Sequence, residues 1–255
     1  MTRLDPSFLR APLAHRALHD VGDGRPENSR AAISAAIRHG YGIEIDLQLS
    51  RDGAAMVFHD YDLRRLTGQA GPVQQREAAE LGRVALLGGD EGIPTLPEVL
   101  DLVGGRVPLL IELKDQHGQM GQTDGRLEAA TAVALQGYGG PVAVMSFNPE
   151  MMVAMRDLAP AVVRGIVSCD YDAGDWTLLR AEVRERLRDI PDYDRAGASF
   201  LSHQAQDLGR ARVAELQGAG ADVLCWTIRS PEEEAEARRV AQNITFEGYL
   251  PAIPA

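Results

Sequence analysis

The 255-residue chain has only two cysteines, Cys169 and Cys225, in separate expected strands. So sparse a pair gives neither a disulfide framework nor the clustered spacing of a structural zinc site. No apolar run approaches the ~20 residues that cross a bilayer, and the opening MTRLDPSFLRAPLAHR has no apolar signal core. A cytoplasmic protein without a stable membrane anchor is expected. Lys and Arg (26) are outnumbered by Asp and Glu (37), the net charge is −11, and the basic residues form no cluster. Nucleic acid is therefore not an expected partner, because binding a phosphate backbone needs a basic patch. An anionic small molecule stays open as substrate, since one divalent ion and a few local cations reverse the field inside a site.

What is present centres on Tyr41 to Asp60, YGIEIDLQLSRDGAAMVFHD. Ile43, Ile45, Leu47 and Leu49 alternate with Glu44, Asp46 and Gln48, the period of a strand, so Glu44 and Asp46 share a face. Residues two apart on a strand are separated by roughly 6.5 to 7 Å, close enough for two carboxylates to converge on one hard cation. Met56-Val57-Phe58 is a second apolar run, ending in His59-Asp60. Polar residues at the end of a buried strand are where α/β sheets and barrels keep their active sites.

The rest of the chain repeats that pattern. Leu13-Ala14 ends in His15-Arg16; a helix follows with Ala32, Ile33, Ala36 and Ile37 on one face, Asn28 as expected N-cap and Gly40 as stop. With the Tyr41 strand this makes a βαβ unit. Between Asp46 and Met56 only Asp52-Gly53 signals a turn and no crossover helix fits, leaving a hairpin or a helix-free return. Residues 60–92 carry one short helical pattern near Glu77 to Leu81 and read as a rim loop or insertion. Thr95 and Glu98 have capping-box spacing for a helix that stops near Gly104-Gly105.

Strand 108–114 ends in Glu112 and Lys114. Helices are then expected over 125–137, 149–158 (capped by Asn148), 175–190, 204–218 and 231–242. Strands are expected over 142–147, 162–167, 198–202 and 222–228, with an apolar Phe246–Leu250 segment closing the chain. No glycine-rich dinucleotide loop follows the first strand, which favours a closed barrel over an open sheet. Nine candidate strands for eight places leave one for the irregular 46–56 region.

In a parallel barrel these strand ends share one rim, so His15, Arg16, Glu44, Asp46, His59, Glu112 and Lys114 converge. Three carboxylates buried together need a cation, and without nearby cysteine an oxygen-preferring ion, Mg²⁺ or Ca²⁺, suits them better than Zn²⁺. Two histidines can take and give a proton near neutral pH, and Arg16 and Lys114 can bind an oxyanion. Together these groups suit displacement at a phosphodiester.

The chain resembles the glycerophosphodiester phosphodiesterase family. The resemblance rests on AHR (14–16), PENS (26–29), GIEIDLQLSRDG (42–53), VFHD (57–60), IPTLPEVLDL (93–102), IELK (111–114), SFNPE (146–150) and CWTI (225–228), in the family's order across nearly the whole chain. It implies one (β/α)8 barrel domain over 1–255, with residues 60–92 as the small insertion at the barrel mouth. It also implies a divalent ion on Glu44, Asp46 and Glu112, His15 and His59 as acid and base, Arg16 and Lys114 on the phosphate, and Trp226 lining the pocket. The implied reaction is hydrolysis of a glycerophosphodiester to sn-glycerol 3-phosphate and an alcohol; a lysophospholipid hydrolase and a non-catalytic binder of phosphorylated metabolites are the alternatives. Two departures stand out: Ala17 where the family usually has Gly, and EGYLPAIP from Glu247 where the pattern is DGI-x-TD-x-P, which puts the last strand's polar contribution in question. Trp226 as core packing stays open, as does Glu27, structural or facing substrate. His19, His39, His117 and His203 are expected at the surface or in loops, with His117 near enough to Lys114 to reach the rim.

Overall fold

A computed structural model describes residues 3–254. Its strands are β1 (Leu13–Ala14), β2 (Gly42–Leu49), β3 (Ala55–Val57), β4 (Leu109–Leu113), β5 (Val142–Ser146), β6 (Val163–Ser168), β7 (Phe200–Gln204), β8 (Asp222–Ile228) and β9 (Asn243–Phe246). Eight pair in parallel around a closed ring, β1-β2-β4-β5-β6-β7-β8-β9, and β9 returns to β1. β3 is the ninth. It runs antiparallel beside β2, Leu47 opposite Val57, so the link after β2 is a hairpin and leaves eight strands for eight places. The turn is held by the Ser50 hydroxyl, which donates to Asp52 Oδ1 at 2.6 Å and accepts from the Ala54 N–H at 2.8 Å.

Outside the ring lie α1 (Arg30–His39), α2 (Arg64–Thr67), α3 (Ala78–Leu81), α4 (Leu96–Val103), α5 (Arg126–Ala134), α6 (Pro149–Leu158), α7 (Ala181–Arg188), α8 (Ala211–Gly218) and α9 (Pro231–Ala237). The period-two pattern of β2 sorts its side chains: Ile43, Ile45, Leu47 and Leu49 pack in one cluster with Ala32, Ile33 and Ala36 of α1 and Leu96 and Val99 of α4. Glu44 and Asp46 take the opposite face, inside the barrel. A second cluster, Leu4, Phe8, Leu13, Leu110, Ala143, Met145, Val167, Phe200 and Leu224, fills the interior beneath them. Asn243 ties the amino-terminal segment to this floor, donating to the carbonyls of Phe8 and Ala11 at 2.7 Å each. Gly165 is required there, because a Cβ would sit 2.3 Å from the Phe200 ring.

The capping box at Thr95 and the caps at Asn148 and Ser230 are formed. Other boundaries move. Ser29, not Asn28, caps α1; Asn28 stands one residue earlier with φ 59°. The expected 175–190 helix shrinks to α7, and the 204–218 helix splits into a 3₁₀ turn, Ala205–Asp207, and α8. The closing strand is β9, 243–246, rather than 246–250. Residues 60–92 pack on a small core of their own, with Leu63, Val73, Leu81, Val84 and Leu86 against Met56, Phe58 and Ile93.

Candidate active site

Parallel pairing sets Asp46 of β2 opposite Glu112 of β4. With Glu44 two residues below, carboxylate oxygens from all three lie within 4.8 Å of one another, and all three residues are buried. Lys114, just past β4, places Nζ 2.8 Å from Asp46 Oδ1 and 2.8 Å from Glu112 Oε1. Asn28 fixes Asp46 from the other side: its Nδ2 donates to Asp46 Oδ2 at 2.9 Å and its Oδ1 accepts from the Asp46 N–H at 3.3 Å. The left-handed backbone that disqualifies Asn28 as a cap is the one that turns its amide to this task.

After β1 the chain reverses through two left-handed residues, Arg16 (φ 51°) and Ala17 (φ 65°). That reversal lets the Arg16 N–H donate to Glu44 Oε2 at 2.8 Å and the Ala17 N–H donate to the Glu44 carbonyl at 2.9 Å. A Cβ in this region costs about 1 kcal/mol, and glycine would relieve it. The Arg16 guanidinium reaches Glu27 Oε1 at 2.9 Å and Asp46 Oδ2 at 3.7 Å. Glu27, left open by the sequence, therefore joins the ion-pair network and also receives Arg65.

Burial and the charges of Asp46 and Glu112 push the Glu44 carboxyl well above the usual range. Burial would raise Asp46 too, but Lys114, His59 and Arg16 outweigh it and hold that carboxyl well below normal. Lys114 responds in the opposite sense: burial works against its charge, yet Asp46 and Glu112 keep it firmly protonated. Three carboxylates thus face two neighbouring cations, and the leftover proton affinity falls on Glu44. An all-oxygen donor set with an excess negative charge fits a hard divalent ion.

The two histidines are mounted alike. His15 Nδ1 lies 2.7 Å from Glu247 Oε2, and Arg229 holds the other oxygen of Glu247 at 2.6 Å. His59 Nδ1 lies 2.8 Å from Asp60 Oδ1, and Arg65 holds Asp60 Oδ2 at 2.7 Å. In each, the carboxylate occupies Nδ1 and leaves Nε2 for a reacting group. Burial pulls the His15 pKa down against the bond to Glu247, and the bond from His15, with His19 close by, holds the Glu247 carboxyl far below its usual value.

Glu247 answers the question over the carboxyl-terminal motif. The polar contribution of the last strand comes from the residue immediately after Phe246, and Pro251 instead gives its carbonyl to the Tyr41 hydroxyl at 2.7 Å. The signal was the one used for every other strand, an ionisable residue at its end. The expected segment begins three residues after β9 does, which puts Glu247 inside it rather than at a strand end.

Two cavities meet at this cluster. The smaller, about 210 Å³, is lined by His15, Arg16, Glu44, Ser202 and Thr245 among others. The larger, about 500 Å³, opens past Asp60, Tyr61, Asp115 and Trp176. His59, Glu112, Lys114, Phe147 and Trp226 border both. Trp226 is half-buried, with Nε1 donating to the Ser202 carbonyl at 3.2 Å, so it is a cavity wall anchored on the core. Among the other histidines, His39 and His117 are exposed, and His117 lines neither cavity. His19 lies 3.6 Å from Glu247. His203 corrects the expectation of a surface position: it is fully buried, between the Ser168 hydroxyl at 2.7 Å and Asp207 Oδ2 at 3.1 Å.

The model of a family described as the glycerophosphoryl diester phosphodiesterase family matches residues 15–243. The Bacillus subtilis (strain 168) protein YhdW is 25% identical over 235 residues, 88% of each chain. Human glycerophosphodiester phosphodiesterase 1 is 28% identical over 258 residues, 91% of this chain and 76% of that protein. Among solved structures, an Oleispira antarctica phosphodiesterase in complex with the product sn-glycerol-3-phosphate superposes with a TM-score of 0.75 at 26% identity, covering 94% of both chains.

Proposed function

The chain belongs to the glycerophosphoryl diester phosphodiesterase family, and on that premise we propose that it hydrolyses glycerophosphodiesters to sn-glycerol 3-phosphate and an alcohol at the cluster around Glu44, Asp46 and Glu112. The observation that carries this reading is the pair of carboxylate-mounted histidines flanking a buried triad of acids. A product complex of a relative with the same fold supports the substrate class.

The phosphate would sit where the two cavities join, beside Glu112, Lys114 and His59. Glu44, Asp46 and Glu112 would hold a divalent ion, Mg²⁺ or Ca²⁺, which when bound neutralises charge on the phosphate oxygens. Arg16 and Lys114 would add fixed positive charge toward those oxygens. The glycerol portion would enter the smaller cavity, where the buried hydroxyls of Ser202 and Thr245 have no partner among the described residues and are available to its hydroxyls.

The departing alcohol would occupy the larger cavity. His15 lines only the smaller one, so its Nε2 would take the proton from the attacking oxygen; with water as nucleophile glycerol 3-phosphate forms directly, and with the neighbouring glycerol hydroxyl a cyclic phosphodiester forms first, which a water must then open. His59 borders both, so its Nε2 would give a proton to the leaving oxygen. Glu247 and Asp60 fix the ring orientations; Glu247 stabilises the positive charge His15 acquires, and Asp60 the charge His59 carries before it gives up its proton.

Release of glycerol 3-phosphate from a glycerophosphodiester by the purified protein tests the reading. Chelation with EDTA should abolish it and added Mg²⁺ or Ca²⁺ restore it; His15→Ala and His59→Ala should each lower the rate by about 10²- to 10⁴-fold. Undiminished turnover in EDTA would remove the metal from the reading, and near-normal rates in both variants would remove the acid–base pair.

A further inference from the structure

Arg65 lies on α2, inside the 60–92 segment, and lines neither cavity. Its guanidinium nevertheless makes four hydrogen bonds to two carboxylates beside the site. Nε donates to Asp60 Oδ2 at 2.7 Å and Nη2 to Asp60 Oδ1 at 2.8 Å. On the other edge, Nη2 donates to Glu27 Oε1 and Nη1 to Glu27 Oε2, both at 2.8 Å. Two carboxylates gripped as forks by one planar group are held at a fixed spacing and relative orientation.

Each carboxylate leads on to a group with a role in the reaction. Asp60 Oδ1 also receives His59 Nδ1 at 2.8 Å, and Glu27 Oε1 also receives Arg16 Nη1 at 2.9 Å. One unbroken chain, His59, Asp60, Arg65, Glu27 and Arg16, therefore links the proton donor for the leaving oxygen with the cation beside the phosphate. The mount is firm at its base. Leu63, two residues before Arg65, is buried in the same small core as Phe58, the residue before His59, and its carbonyl accepts the Thr67 hydroxyl at 2.8 Å. The Arg65 side chain itself is half-exposed, and exposed ion pairs add little to stability. Its two forks are better accounted for by what they orient. Without Arg65, the Asp60 carboxylate loses the partner that fixes its rotation. Glu27 Oε2, which accepts from Arg65, would then be open to the Arg16 guanidinium, drawing it into a fork away from the phosphate.

We propose that Arg65 is a positioning residue for proton transfer to the leaving oxygen, holding the His59 ring through Asp60 and keeping Arg16 on the phosphate through Glu27. The inference rests on the hydrolase reading with His59 as its acid, and extends that reading to a residue outside both cavities. Lysine does not substitute, because an ammonium is a point donor that cannot fork two carboxylates at once. A displaced proton donor matters in proportion to the basicity of the leaving oxygen. An alkoxide needs the proton in the transition state, whereas a nitrophenolate departs without it.

The test compares the parent, Arg65→Ala, Arg65→Lys and His59→Ala, with added Mg²⁺, on the ethyl and p-nitrophenyl esters of sn-glycerol 3-phosphate. Arg65→Ala should lower kcat about 10- to 100-fold on the ethyl ester and less than about threefold on the nitrophenyl ester, the pattern of His59→Ala at smaller size. Through Arg16 it should raise KM on both esters. Arg65→Lys should do no better, and added guanidinium ion should partly restore Arg65→Ala. Equal kcat losses on the two esters, or no loss on either, would overturn the proposal. If His59→Ala itself fell equally on both, the acid assignment would fail and the positioning role with it, while hydrolysis stood. A readout independent of turnover is the His59 tautomer, from nitrogen-15 histidine spectra of the whole protein at fixed pH, the signal assigned by its loss in His59→Ala. The bond to Asp60 favours the proton on Nδ1, and Arg65→Ala should lower that fraction. An unchanged tautomer would overturn the proposal. Turnover of neither ester by the parent would defeat the hydrolase reading, while this spectrum still decides whether Arg65 sets the ring.

Discussion

At the end where the strands begin, the barrel interior is closed by Leu4, Phe8, Leu110, Phe200 and Leu224, all buried and mutually packed. At the end where they finish, the same strands present Glu44, Asp46 and Glu112, with Lys114, His15 and His59 around them. Between the two ends lie the hydroxyls of Ser202 and Thr245, which have no partner among the described residues. One ring of hydrogen-bonded strands therefore carries a stabilising floor and a charged mouth a few residues apart. The floor gains from every contact, whereas the mouth holds like charges together, as the raised Glu44 carboxyl shows. The stability of the floor is what allows the mouth to stay assembled without its own favourable balance.

That contrast can be broken from the floor first. Phe200→Ala removes the ring that fills the interior against Gly165 and should cost about 3–5 kcal/mol of unfolding free energy, read from denaturant midpoints, with turnover per folded molecule within about twofold of the parent.

From the mouth the reverse is expected. Glu44→Gln mimics the protonated carboxyl, so in EDTA the unfolding free energy should stay within about 0.5 kcal/mol of the parent or rise. Turnover should nevertheless fall by about 10²- to 10³-fold. A variant that lost stability and kept activity would reverse the comparison.

A smaller effect is expected at Glu247, which touches His15 rather than substrate. Glu247→Gln should lower kcat by about 10- to 100-fold with little change in KM, and should move the pH–rate profile because the imidazole loses its counter-charge. The stability sign follows from the depressed carboxyl. Its folded pKa lies below the ordinary 4.5, so its contribution is present above that pH and fades as acid is added below it. The variant should show a flatter loss of stability below about pH 4.5.

The smallest expected effect concerns the thiols. Burial pushes Cys169 and Cys225 up to about 12, so neither is a thiolate at neutral pH. Alkylating reagent should label neither thiol in the native protein and both after denaturation; rapid labelling of Cys169 would show that its part of the larger cavity opens.

Most of the site was legible because it obeys a local rule. Glu44, Asp46, Glu112 and Lys114 follow from period-two alternation and from charge at the end of an apolar run, both visible within a few residues. Asn28 reads as a helix cap in sequence because its side chain suits that role, and only its positive φ and the distance to Asp46 reveal the other one. His203 reads as a surface residue in sequence because burial depends on what covers a residue, here the segment through Asp207. The carboxylates that mount the two histidines are one residue away in sequence for His59 and 232 away for His15, and neither pairing follows from local pattern.

The sequence by itself determined the alternation of strand and helix, the inward face of β2 and the set of ionisable strand ends, because these depend on backbone periodicity and on side-chain polarity alone. It did not determine which cation meets which carboxylate, which carboxylate holds His15, or that both tryptophans and Phe147 would wall one cavity. Those outcomes follow from barrel closure. When β9 pairs with β1, the ring brings the strand ends to one rim, and the distances across that rim, a few ångströms between residues up to 232 apart, are set by strand number and register rather than by any local stretch of chain.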